Sequence, residues 1–168
     1  MNHGQHVKVL GEGDPARLGS VAAVRGMLAS LVERVGMRAL SDAHTYDVAV
    51  DLSKLGKEPF EDEGGVTGVI VLSTSHIAVH TWPARPFLVL DLFSCRPFDT
   101  GAVLSHLVEH LGLREAVVHD LSRALEYSVA FSSSSGSGST FGLRPAPHGT
   151  PESTFTGSLM LHVSANDR

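Results

Sequence analysis

Between Pro15 and Gly36 the apolar residues Val21, Val24, Leu28, Leu31 and Val35 recur at spacings of three and four, the signature of one buried stripe on an α-helix. Pro15 suits a first helical turn and Gly36 a C-terminal cap. A second stripe, Val103, Leu107 and Leu111, follows Asp99 or Thr100 as a cap and stops at Gly112. Elsewhere the pattern is that of strands. The segments are HVKVL (6–10), YDVAVDL (46–52), VTGVIVL (66–72), HIAVHTW (76–82), FLVLDLF (87–93), EAVVHDL (115–121) and SLMLHVS (158–164). The stretch 66–72 is almost wholly apolar and reads as an inner strand. Strands punctuated by two helices, without regular βαβ alternation, predict an α+β two-layer sandwich: a mostly antiparallel sheet with two helices on one face. The Ser/Gly-rich run FSSSSGSGSTFG (131–142) and the irregular residues after it predict a mobile segment over 131–157.

Composition adds boundaries. The 168 residues suit one domain, and 42% apolar with 18% charged residues can supply a core. A net charge of −5, from 13 basic and 18 acidic residues, argues against an electrostatic nucleic-acid binder. No apolar run approaches the roughly 20 residues needed to span a bilayer. The N-terminus lacks the plan of a secretory signal, and a single cysteine cannot form an internal disulfide. The expectation is a soluble cytoplasmic protein.

The candidate chemistry is concentrated in one place, STSHIAVHTWPARPFLVLDLFSC (73–95), which holds the only tryptophan and the only cysteine. On a strand, His76 and His80 share a face with Ala78. A hairpin back through 83–86 would return Cys95 to Ser75, gathering a hydroxyl, imidazoles and a thiol at one end of a sheet. A zinc site lacks its usual ligand spacing here, and no Gly-x-Ser-x-Gly surrounds the serines. A Cys–His nucleophile remains open, as does the plain alternative that His80 and Cys95 pack in the core while Ser75 caps a turn.

Ser75-His76, His80-Thr81-Trp82-Pro83 and Asp91-Leu92-Phe93-Ser94-Cys95, preceded by Gly65-Val66-Thr67-Gly68, resemble the processing and active-site region of the prokaryotic S-adenosylmethionine decarboxylases in order and spacing. The resemblance covers Gly65 to Cys95 well and does not visibly extend beyond Tyr127. It implies a proenzyme that cuts itself between Thr74 and Ser75 into chains 1–74 and 75–168, leaving Ser75 as a pyruvoyl group. That carbonyl takes up the substrate amine by Schiff-base formation and accepts electrons as CO₂ leaves. The resemblance also implies roles. His80 moves protons during processing, Thr67 offers a hydroxyl that assists the acyl shift, and Cys95 protonates the carbanion after decarboxylation. Trp82 and Pro83 shape a turn, Asp91 is a hydrogen-bonded strand residue, and His76 is a neighbour. A homodimer with sites near its interface is implied as well.

Three departures bear on processing and substrate. Thr74 replaces a family Glu before the scissile bond, and β-branching crowds its carbonyl. Ala84 replaces the Glu that holds the ribose of S-adenosylmethionine. Phe60 is the candidate for stacking on adenine only with a one-residue shift, beside Glu61, Asp62 and Glu63. Those acids read either as a solvated loop or as a rim for a cationic substrate. The alternatives are therefore a decarboxylase of a basic amino acid such as ornithine or arginine, and an unprocessed homologue that binds or regulates.

Overall fold

The computed structural model describes residues 4–49, 64–122, 125–132 and 140–144, the last two as strand backbone. In chain order the elements are β1 (Gln5–Glu12), α1 (Pro15–Leu18), α2 (Val21–Arg34), β2 (His44–Val48), β3 (Gly65–Leu72), β4 (Ser75–Trp82), β5 (Phe87–Ser94), α3 (Thr100–Leu111), β6 (Glu115–Asp120), β7 (Leu125–Ser132) and β8 (Thr140–Arg144). The strands form one eight-stranded sheet in the order β2-β3-β4-β5-β1-β6-β7-β8. Every pairing is antiparallel. The α+β sandwich expected from the pattern is thus the architecture found.

Strand alternation divides the sheet into two unlike faces. Val7, Val9, Val66, Ile70, Leu72, Ile77, Val79, Leu88, Leu90, Leu92 and Val118 point one way and are buried. They pack with Val24, Met27, Leu28 and Leu31 of α2 and Val103, Leu107 and Leu111 of α3 in a single core. Fully burying each such side chain contributes roughly 1.5–3 kcal/mol. Gly68 permits the close approach of α2, because a Cβ there would lie 2.7 Å from Leu28 Cδ1. Thr81, the polar exception on β4, is satisfied: it donates to Leu18 O at 2.8 Å and accepts from the Val66 amide at 2.9 Å. Among the described residues no buried side-chain nitrogen or oxygen lacks a partner.

The helical pattern needs one correction. Residues 15–36 are two helices, because Ser20 adopts extended backbone and caps α2 by accepting from the Ala23 amide. Among the described residues the helices accordingly number three. Gly36, with φ of 65°, follows the C-cap Val35, and Gly112, with φ of 64°, ends α3. Asp99 is the α3 N-cap, accepting from the Gly101 amide. A second correction concerns the segment expected to be mobile over 131–157. Phe131 and Ser132 finish β7, and Thr140–Arg144 form β8 paired to it. Backbone pairing to an existing sheet edge overrides a Ser/Gly-rich composition that carries little strand propensity of its own. β2 begins at His44, two residues before the expected start, and the strand expected at 158–164 lies outside the described residues. No helix among the described residues is long and apolar enough to cross a membrane.

Candidate active site

Leu72 pairs with Ser75, so Ser73 and Thr74 alone connect β3 to β4. Two-residue hairpin loops favour positive φ to match strand twist, a demand ordinarily met by Gly or Asn. Here Thr74 meets it with φ of 130°, where a β-branched side chain is strained at a cost of order 1–3 kcal/mol. The turn is fastened by the Thr74 amide donating to Leu72 O at 2.8 Å and the Ser73 amide donating to Arg38 O at 3.1 Å. The bond between Thr74 and Ser75 therefore joins a strained residue to the first residue of a paired strand.

Cys95 follows the last residue of β5 and comes back to this turn, as the hairpin arithmetic anticipates. The Thr74 hydroxyl donates to Cys95 Sγ at 2.9 Å, and the Cys95 amide donates to Ser75 Oγ at 3.2 Å. Cys95 is exposed, which removes the plain reading of it as a core residue. The Thr74 hydroxyl, with lesser help from Ser75 and the Arg96 charge, holds the thiol below its ordinary range, while desolvation pulls the other way. An acid brought nearer to neutrality is better matched to proton transfer at neutral pH.

A second group sits on the face of the sheet that the helices leave uncovered. Thr67 lies opposite His80 across β3 and β4, with Thr67 Oγ1 3.0 Å from His80 Nδ1. The exposed His80 ring neighbours Trp82, which in turn lies 5.8 Å from Phe87, centroid to centroid. Trp82 and Phe87 are register partners, so this aromatic pair closes the far end of the β4–β5 hairpin.

Between these groups Asp91 accepts from two imidazoles, His6 Nε2 at 2.9 Å and His76 Nε2 at 3.0 Å. Phe93 lies beside both rings. Asp91 is thus the hydrogen-bonded strand residue anticipated, and His76 is held away from the turn by it. His6 escaped the sequence reading; its signal was the alternation of β1, which puts His6 and Lys8 on one face, but only the sheet order makes β1 a neighbour of β5.

The structure therefore brings together Thr74, Ser75 and Cys95, and separately Thr67 and His80, but not the two sets. His80 is five residues along β4 from Ser75, about 16 Å at the usual rise per strand residue. The expectation that hydroxyl, imidazoles and thiol share one end of the sheet holds for the hydroxyl and thiol and fails for His80. A strand is rigid, and two residues five apart on it point to opposite faces and lie far apart along its length. Ala84 is exposed in the turn beyond Trp82, at the end of β4 remote from Ser75. Phe60, Glu61, Asp62 and Glu63 lie outside the described residues.

A profile of the S-adenosylmethionine decarboxylase family matches residues 7–124. Relatives include S-adenosylmethionine decarboxylase proenzymes of Clostridium botulinum, 33% identical over 35% of this chain and 52% of the relative, and of Pyrococcus furiosus, 35% identical over 37% and 45%. That of Pseudomonas aeruginosa is 37% identical over 36% of this chain and 39% of the relative. The chain spans about half the length of the curated relatives it matches, or less. The crystal structure of the adenosylmethionine decarboxylase from Aquifex aeolicus shares the fold, with a TM-score of 0.55 at 22% identity, over 74% of this chain and 92% of that one.

Proposed function

The chain belongs to the S-adenosylmethionine decarboxylase family, and from that premise we propose that it is a self-cleaving, pyruvoyl-dependent decarboxylase of S-adenosylmethionine serving polyamine supply. The observation that carries this reading is the turn itself: a Thr at φ of 130° immediately before Ser75, with the only cysteine folded against both. Strain in the precursor lowers the barrier to any step that releases it.

Ser75 fits the role of source for the pyruvoyl group, because its Oγ already accepts a backbone amide that would stabilise developing negative charge. The Ser75 oxygen attacks the Thr74 carbonyl carbon, the Thr74–Ser75 C–N bond breaks, and an ester replaces the amide. Removal of the Ser75 Cα proton then breaks the Cβ–O bond and frees Thr74 as a carboxylate terminus. Water displaces ammonia from residue 75, leaving the pyruvoyl terminus. That group, once made, supplies a carbonyl that engages the substrate amine and accepts electrons during decarboxylation. Cys95 returns the proton to the substrate carbon, and a thiol used this way suits a reducing, cytoplasmic compartment. Thr67 orients His80 through Nδ1, leaving Nε2 to carry protons.

At about 16 Å along one strand, His80 cannot exchange a proton with its own Ser75. The uncovered face offers the remedy. A homodimer that stacks two such faces in opposite directions sets the Thr67–His80 end of one copy over the Ser75–Cys95 end of the other, and brings the Ala84 turn along with it. Ala84 provides no carboxylate for ribose hydroxyls, which keeps a basic amino acid as the second substrate class.

Intact mass of the purified protein tests the cleavage: two chains, 1–74 and 75–168, the second with a blocked N-terminus. A single full-length mass after prolonged incubation at neutral pH would leave a binding or regulatory homologue. Labelled CO₂ release from S-adenosylmethionine, ornithine and arginine, measured side by side, assigns the substrate.

A further inference from the structure

On the opposite side of the core from the proposed active site, α3 carries the sequence His106-Leu107-Val108-Glu109-His110. Spacings of three and four bring His106, Glu109 and His110 onto one helical face, and their donor atoms all lie within 4.8 Å of one another. The His106 and His110 rings are 4.1 Å apart, centroid to centroid.

His106 is buried, 3% exposed, and its protonation pattern is dictated by α2. Its Nε2 lies 3.2 Å from Met27 O and 3.0 Å from Ser30 Oγ. Ser30 already donates its hydroxyl proton to Gly26 O at 2.8 Å, so both neighbours of Nε2 are acceptors. Nε2 must carry the proton, and Nδ1 then keeps its lone pair. A ligand imidazole whose other nitrogen donates to a backbone carbonyl is the usual outer arrangement of a metal-binding histidine. Two basic groups oppose a cation here. Arg34 Nη2 lies 3.6 Å from Glu109 Oε1, and Arg17 Nη1 donates to Glu109 O at 2.9 Å. The first is a long, exposed ion pair of little strength, and the second leaves the carboxylate free.

We infer that His106, Glu109 and His110 form a binding site for one divalent transition-metal ion of the zinc type, with His106 Nδ1, a Glu109 oxygen and a His110 nitrogen as ligands and water completing a tetrahedron. Ligands on such an ion stand roughly 3.3 Å apart, so closing the site takes modest rotamer changes in the less buried Glu109 and His110. Because His106 is anchored on α2 while all three ligands belong to α3, the ion would brace the two helices.

Zinc titration of the full-length protein, read by competition with a chromophoric chelator and by thermal melting, tests this. One ion per chain with a raised melting temperature is expected, and cobalt should give the intense visible bands of a tetrahedral site. His110→Ala and Glu109→Gln should each weaken zinc binding by at least about tenfold, and Ser30→Ala by about tenfold through the lost orientation of His106. Arg34→Ala should tighten binding. No zinc binding to the folded wild type, or binding whose strength and stoichiometry survive His110→Ala, would overturn the assignment.

Discussion

The two faces of one sheet are made from adjacent residues and have opposite chemistry. On β5, Leu88, Leu90 and Leu92 are fully buried under the helices, while Val89, Asp91 and Phe93 between them are only half-covered. The helical side is apolar, with its few polar groups satisfied. The other side collects Thr67, His76, His80, Asp91, His6 and Trp82. A sheet in a two-layer sandwich must bury one face to pay for folding, and this frees the other to hold imidazoles and carboxylates that a core would exclude. Reactive side chains thus concentrate on strands, with their precision of placement, without entering the interior.

The largest effect expected is all-or-none. Ser75→Ala should remain one full-length chain by mass spectrometry, and His80→Ala should cleave far more slowly, by about a hundredfold or more, as loss of a general acid–base group does. Mixing unfolded Ser75→Ala and His80→Ala chains and refolding them together should restore cleavage of the His80→Ala chain. Failure of that rescue would confine His80 to its own subunit and break the proposed stacking of open faces.

Next in size is Cys95→Ala. It should cleave and stay folded, because the thiol is exposed, yet lose most decarboxylation or yield wrongly protonated product. Unchanged turnover in the cleaved variant would remove Cys95 from the chemistry.

Stability should separate the faces directly. Leu90→Ala should cost about 2–5 kcal/mol in urea unfolding, as buried leucines do. Val89→Ala, one residue away and on the open side, should cost under about 1.5 kcal/mol. Equal losses would mean that the open faces stacked in the dimer are packed as firmly as the core.

A smaller gain is expected at the turn. In a Ser75→Ala background, which cannot cleave, Thr74→Gly should raise stability by about 1 kcal/mol by relieving strain. A loss there would show that the Thr74 hydroxyl's bond to Cys95 outweighs its backbone cost.

The smallest effect concerns pH. Burial first, and then the charge of His110, hold His106 below the ordinary histidine range, against a pull from Met27 O. The unfolded chain therefore takes up a proton below about pH 6.5 that the folded chain resists. The stability contributed by this neutral imidazole is present above that pH and is lost as pH falls toward the folded value. His106→Gln should flatten the acid limb of a stability profile in metal-free buffer; an unchanged limb would place the titration elsewhere.

Much of this molecule was legible in one dimension. Apolar runs at 66–72 and 87–93 and alternation within 76–82 marked the strands, and the period of two then fixed which residues share a face, since side chains on a strand alternate whatever surrounds them. Spacing alone carried Cys95 back to Ser75, because a short turn between two strands of equal length permits one register. The helix break at Ser20 is a local cap, made with Ala23 three residues on, that the longer apolar stripe overrode. The pairing of β8 was not legible, because the capture of a strand by an existing edge depends on neighbours distant in sequence.

The sequence by itself determined the sandwich, the hairpin and the family's motif. The tertiary structure alone decided two further things: that Thr74 sits at positive φ, and that β1 inserts between β5 and β6 so that His6 reaches Asp91. The reason is physical. Local periodicity is set by backbone sterics within a few residues, whereas sheet order and turn strain arise from closing the chain into one core.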